Sequence, residues 1–133
     1  MYYNDNWGNG ACAPAGGNAA AYLTRVENAL GQATTAIYNS CTGTMATITD
    51  TNSQATLYAW DWMGRITNVY YPDGGQTNYL YPNTTTVERQ QKMTSAWWLT
   101  NYRYFDGLGR AKQTRLVDGE GDVFVDTTYD PEG

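Results

Sequence analysis

An aromatic residue followed by a turn-former recurs along the chain, at Tyr38-Asn39, Trp60-Asp61, Tyr81-Pro82, Phe105-Asp106 and Tyr129-Asp130. The steps between those aromatics are 22, 21, 24 and 24 residues. A second register agrees with the first. Gln32, Gln54 and Gln76 are each 22 apart, and the first two open matching Gln-Ala-Thr triplets. Self-similarity at a fixed period restricts the possible folds more than any local propensity does, because each repeat must be one supersecondary unit. The period also halves. Turn-like tetrads begin at Asn28, Asn39, Asp50, Asp61 and Pro72, eleven residues apart, and resume at Asp106, Asp118 and Asp130, twelve apart. Turn signals every 8–12 residues or so, between alternating segments, indicate an antiparallel all-β chain.

The segments between turns fit that reading. Ala55–Trp60, Ile66–Tyr71 and Val123–Tyr129 are rich in β-branched and aromatic residues and too short for good helices. Each unit of about 22 residues is expected to be one β-hairpin. The predicted fold is therefore an all-β antiparallel meander of repeated hairpins, with about ten strands once turns near 83 and 94 are counted. Strands ~4.8 Å apart would make such a sheet roughly 48 Å wide. A single layer of that width exposes an aromatic face and two unpaired edges, so we expect a curled sheet that forms part of a shell, barrel or fibre. Residues 1–21 read as a Gly/Asn/Ala-rich N-terminal arm. Residues 22–133 read as the repeats, with an irregular segment at 84–100 that suits either a short helical or looped excursion or a longer hairpin.

The turns have specific chemistry. Asp61-Trp62-Met63-Gly64, Asp106-Gly107-Leu108-Gly109 and Asp130-Pro131-Glu132-Gly133 share the form Asp-x-x-Gly. Aspartate at the first position of a type I turn accepts backbone N–H bonds, and the closing glycine supplies the left-handed residue of a G1 bulge. Asn28-Ala29-Leu30-Gly31 and Asp118-Gly119-Glu120-Gly121 repeat the recipe. Arg65 and Arg110 follow two of these turns, within reach of the turn carboxylate, as a bracket across the bend.

These residues resemble a known pattern. Trp60-Asp61-Trp62-Met63-Gly64-Arg65, Phe105-Asp106-Gly107-Leu108-Gly109-Arg110 and Tyr129-Asp130-Pro131-Glu132-Gly133 resemble the Tyr-Asp-x-x-Gly-Arg signature of RHS repeats, also called YD repeats. Tyr70–Tyr81 resembles the Pro-Asp-Gly-Gly-x-Thr-x-Tyr-x-Tyr segment between signatures. The likeness covers roughly residues 22–133. Trp60 and Phe105 stand where the signature has tyrosine, Tyr38-Asn39 and Tyr81-Pro82 lack its aspartate, and residues 84–100 match poorly. In that family, strings of hairpins coil into a continuous sheet around a hollow shell. Bacterial members encase a toxic segment, and the animal teneurins use a similar barrel in cell-surface adhesion. The resemblance implies an architectural, non-catalytic role for Tyr38, Trp60, Asp61, Gly64, Arg65, Tyr81, Phe105, Asp106, Gly109, Arg110, Tyr129, Asp130 and Gly133. The signature's arginine would follow Gly133, so the chain reads as stopping in mid-motif.

Composition narrows the function further. The chain has no histidine, which removes Ser–His and Cys–His mechanisms and histidine metal sites. Eight basic against thirteen acidic residues give a net charge of −5, which disfavours nucleic acid as a partner. No apolar run is long enough for a membrane span. Cys12 and Cys41 are too few for a structural zinc site. They suit one disulfide, within or between copies, or two buried thiols. The even count in a lysine-poor, Gly/Asn/Thr-rich chain favours an oxidising, extracellular or cell-surface setting, although residues 1–5 carry no secretion signal. No enzyme activity, cofactor or metal is expected.

Sharper readings compete at several positions. Trp62, Trp97 and Trp98 fall off the repeat register and are the candidates for contact with a partner or a sugar face, the alternative being cross-strand packing. Asp61, Asp106 and Asp130 offer carboxylates for glycoside hydrolysis, but repeat-locked turn aspartates are better read as caps. Asp118–Asp122 has the flavour of a calcium loop without its full ligand set, and reads as a turn. Residues 1–21 suit either a flexible leader or an arm that adds to a neighbouring subunit's sheet edge. The expected function is a non-catalytic structural repeat protein whose hairpins pair with further copies of itself, or with adjoining repeats, to build an extracellular shell or fibre. The alternative is a carbohydrate-binding or adhesion module that meets surface glycans through exposed aromatic residues.

Overall fold

The computed structural model describes residues 1–3, 7–15, 21–118 and 121–129. Every regular element among them is a β-strand, and there are eleven rather than the ten or so expected. The protein is an all-β, mostly antiparallel meander. It divides into two compact units, Met1–Gly74 and Gly75–Gly133.

The first unit holds β1 (Trp7–Asn9), β2 (Arg25–Glu27), β3 (Ala33–Asn39), β4 (Met45–Thr49), β5 (Ala55–Trp60) and β6 (Ile66–Tyr70). β3, β4, β5 and β6 pair in sequence order, each antiparallel to the last. The register aligns β-branched and aromatic residues into cross-strand rows. Ile37 faces Thr47, Thr47 faces Leu57, and Leu57 faces Tyr70. Such pairs are the unit from which a sheet gains side-chain stabilisation, about 0.2–1 kcal/mol each.

The second unit holds β7 (Gln76–Asn83), β8 (Thr86–Lys92), β9 (Trp98–Phe105), β10 (Ala111–Asp118) and β11 (Gly121–Asp126), again antiparallel in sequence order. One row runs through all five strands: Leu80, Glu88, Tyr102, Arg115 and Phe124. The segment 84–100 is resolved in favour of the longer hairpin. β8 pairs over its whole length with β9, and the amides of Met93 and Thr94 both donate to the Trp97 carbonyl to close the bend. The helical alternative there is set aside.

Turn positions follow the sequence beat with one shift. The Gly74 amide donates to Tyr71, not Pro72, at 3.1 Å. The bend therefore starts one residue earlier than the tetrad count implied, which puts Pro72 at the second position, where its fixed φ is wanted. The turn at Asp130 lies outside the described residues, as do Gly119 and Glu120.

Among the described residues only Ala36 and Val69 are buried apolar side chains. Leu57, Trp60, Tyr70 and Leu80 are exposed. Among the described residues, each unit is a single layer of strands with no second layer of its own to cover it. Each ladder hydrogen bond contributes about 0.5–1.5 kcal/mol net.

Candidate functional site

The repeat-motif residues build turns. In the Asp61 turn the main chain closes with Gly64 N–H to Asp61 O at 3.0 Å and Asp61 N–H to Arg65 O at 2.8 Å. Asp61 Oδ1 accepts the amides of Met63 and Arg65, both at 2.9 Å, and Oδ2 accepts Arg65 Nε at 2.8 Å. The Asp106 turn repeats this atom for atom, with Leu108 at 2.8 Å, the Arg110 amide at 2.9 Å and Arg110 Nε at 2.8 Å. The Arg65 amide, followed by the guanidinium and the Met63 amide, holds the Asp61 carboxyl below the usual aspartate range; Arg110 and Leu108 do the same for Asp106. Both oxygens of each carboxylate are thus engaged as acceptors within their own turn. That is the geometry of a cap rather than of a general acid holding a proton.

Asparagine and aspartate fill the same role in turns without arginine. Asn28 Oδ1 accepts the amides of Leu30 and Gln32, and Asp50 Oδ1 accepts those of Asn52 and Gln54. Gly31, Gly64, Gly74 and Gly109 all take positive φ at the closing position. Ser53 takes it too, at φ 61°. No glycine signals the turn at 50–53, so sequence pattern located the bend through Asp50 alone.

The motif aromatics share a second device. Tyr38 donates its hydroxyl to the Leu23 carbonyl at 3.1 Å, Trp60 donates Nε1 to Met45 O at 2.7 Å, and Tyr129 donates its hydroxyl to Ala111 O at 2.7 Å. Each polar tip ties its ring to main chain on the neighbouring strand or beside it. The Arg110 guanidinium lies 4.5 Å from the Tyr129 ring centroid, a cation–π contact that joins two motif residues. Phe105 and Tyr81 are half-buried on β9 and β7. Asp130 and Gly133 lie outside the described residues.

The described residues of the arm are tied to their own chain. β2 pairs antiparallel with the first half of β3, and β1 pairs parallel with its end, Trp7 opposite Tyr38. Both occupy the side of β3 away from β4. Tyr2 bridges to Arg25, with its amide donating to Arg25 O at 2.8 Å. Trp7 meets Tyr22 edge-on and Tyr22 meets Tyr38 at a tilt, with centroids 5.3 and 4.9 Å apart. Cys12 and Cys41 form a disulfide within the chain, their Cα atoms 4.8 Å apart. Ser40 stitches the same junction, donating N and Oγ to Asn9 O and accepting the Cys12 amide. An edge that would otherwise offer a row of open backbone groups is covered by two short strands, a recognised way of blunting a sheet. The signal for this was local: Trp7 and Tyr22 flank the cysteine on an otherwise glycine-rich segment.

Of the three off-register tryptophans, Trp62 is the most open, 91% exposed at the second position of its turn. Trp97 is partly exposed beside the Met93–Trp97 bend, and Trp98 is half-buried on β9 opposite Lys92. Asp122, the last residue of the Asp118–Asp122 segment, receives Arg115 Nε at 2.8 Å. Arg115 also lies 5.5 Å from the ring centroids of both Tyr102 and Phe124. Burial first, and then the charge of Glu88, raises the Tyr102 phenol above its ordinary value, so the phenol stays protonated. Among the described residues no cluster of three or more acidic or cysteine side chains is placed to hold a metal ion. The chain matches no protein-family model, and no curated protein gives a significant match.

Proposed function

We propose that this chain is a non-catalytic structural module whose YD-type hairpins add strand to strand in an extracellular wall. The observation that carries the reading is where the recurring chemistry of the repeat is spent. Asp61, Arg65, Asp106, Arg110, Tyr38, Trp60 and Tyr129 are all engaged with backbone or with one another in shaping turns and fixing neighbouring strands. An internal disulfide suits an oxidising compartment. The likeness to RHS repeats points the same way. No helix of the described residues is long and apolar enough to cross a membrane.

One observation favours a second reading. Trp62 presents nearly its whole indole to solvent, as the sugar-stacking residue of a carbohydrate-binding or adhesion module would. Size-exclusion with light scattering, together with negative-stain imaging, separates the two. Assembly without added ligand supports the structural module. A monomer whose tryptophan fluorescence is quenched by oligosaccharide, and no longer so in Trp62→Ala, supports the sugar module and sinks the first reading.

A further inference from the structure

β11 carries a sequence symmetry that the repeat does not require. Asp122-Val123-Phe124-Val125-Asp126 reads the same in both directions. The strand pairs with β10 alone among the described residues, and Val123, Phe124 and Val125 are 55, 52 and 59% exposed. Runs of exposed apolar residues on an open strand edge are unusual, since they template further pairing.

The backbone parity of the edge matches that symmetry. The Thr127 amide donates to Lys112 O, so Thr127 turns its hydrogen-bonding groups towards β10. Along an antiparallel strand those groups alternate in direction. Val125 and Val123 therefore also face β10, whereas Asp122, Phe124 and Asp126 direct their N–H and C=O groups outward. The outward set is centred on Phe124, the centre of the palindrome.

We infer that β11 is a self-recognition edge: a second copy of this chain adds its own β11 antiparallel about Phe124, closing a two-fold dimer. The inference rests on the structural-module reading and names the partner in it. In this register Phe124 meets the partner's Phe124 in a doubly hydrogen-bonded pair, and Asp122 meets the partner's Asp126 in two more such pairs. About six backbone bonds form in all. On the opposite face Val123 meets the partner's Val125, and the two rings lie beside the Arg115 guanidiniums. An interface of this kind is isologous, using the same surface on both copies, and so ends growth instead of propagating it.

The arrangement carries one opposing contribution. Asp122 is compensated by Arg115, but Asp126 is held only by Gln113 Nε2, at 2.6 Å, and would face the partner's Asp122 directly. Like charges opposite one another weaken a strand pair.

Sedimentation equilibrium from micromolar to millimolar protein, with amide exchange followed by NMR, tests the inference. Wild type should show a reversible monomer–dimer equilibrium. The amides of Asp122, Phe124 and Asp126 should gain protection as concentration rises, while those of Val123, Val125 and Thr127 are protected throughout. Phe124→Pro removes an outward N–H and leaves the β10 ladder intact, and should be monomeric with an unchanged fold. Asp126→Asn should tighten the dimer by roughly tenfold, since two repulsive pairs are relieved. A dimer or fibre that forms with these amides unprotected, or that Phe124→Pro leaves intact, overturns the inference and leaves the structural-module reading standing. A monomer at every concentration that binds oligosaccharide overturns both.

Discussion

Ser53 and Gly64 occupy the same backbone position in consecutive turns eleven residues apart, at φ 61° and 75°. The hydrogen bonds around them are equivalent: each amide donates to the aspartate that opens its turn, at 3.1 and 3.0 Å. One residue takes this left-handed conformation freely, and the other takes it against a steric cost at its Cβ.

Substitutions at these positions should move stability in opposite directions. Ser53→Gly should stabilise by up to about 1 kcal/mol, the relieved strain exceeding the added freedom of the unfolded chain. Gly64→Val and Gly109→Val should each destabilise by about 1–2 kcal/mol or more, because a β-branched residue is poorly tolerated at positive φ. Nothing lies within 4 Å of an added Cβ at either glycine, so the loss is conformational and not a clash. Urea titrations that leave both midpoints unmoved would remove the turn assignment.

Gly43 separates clash from strain. Its φ is 69°, close to that of Gly64, but an added Cβ would stand 2.8 Å from the Tyr22 hydroxyl. Gly43→Ala should therefore be more destabilising than Gly64→Ala by about 1–3 kcal/mol, the usual range for overpacking. Pairing Gly43→Ala with Tyr22→Phe should recover part of that difference. Equal effects of the two alanine substitutions would show that Tyr22 moves aside freely.

Acid should act through the brackets. The Asp61 and Asp106 carboxyls have lower pKa values folded than unfolded, held down first by the amides of Arg65 and Arg110. Their contribution to stability is therefore present above about pH 4, the unfolded value, and is lost as pH falls through the folded value. Thermal melts of wild type should decline in that window. Asp61→Asn/Asp106→Asn keeps an oxygen acceptor for the turn amides, as Asn28 does, and should show a shallower decline. Identical acid profiles would mean that other carboxylates control the transition.

Reducing the Cys12–Cys41 bond releases a loop with a sequence separation of 29 residues. The loss should be roughly 3–4 kcal/mol if chain entropy sets it. Cys12→Ser/Cys41→Ser should melt lower than wild type, and amides on the outer side of β3 should exchange faster. Exchange unaltered by the substitution would show that the ladder and the Trp7–Tyr22–Tyr38 ring cluster hold the arm without the bond.

Most of the strand plan was legible because turns announce themselves chemically. Asn28, Asp50, Asp61 and Asp106 place the acceptor that two amides require, and proline or glycine then fixes the bend. The turn at Tyr71 opens one residue ahead of the tetrad count because its first residue has no carboxylate or amide oxygen to mark it, and Pro72 at its second position is the stronger local signal. β8 was harder to read, since Glu88, Arg89, Gln90 and Gln91 have neither strong strand propensity nor clean alternation. Their pairing comes from β7 and β9 on either side, which local pattern does not contain. The arm was ambiguous for the same reason: β1 is three residues long and gains its structure from β3 and Cys41. Alternation specifies which side chains share a face, not whether anything lies against it, so the exposure of Leu57, Trp60, Tyr70 and Leu80 is not written in local pattern.

A sheet with so little interior has a thermodynamic character of its own. Each hairpin answers chiefly to the strands beside it, so stability accumulates by nearest-neighbour coupling, as in a one-dimensional lattice. Loss of order should then start at a terminus and advance hairpin by hairpin, and inserting or excising one whole 22-residue beat should shift the register of nothing beyond the junction. In such a molecule length is an adjustable quantity, and evolution can set the span of the sheet by copying a segment without redesigning a core.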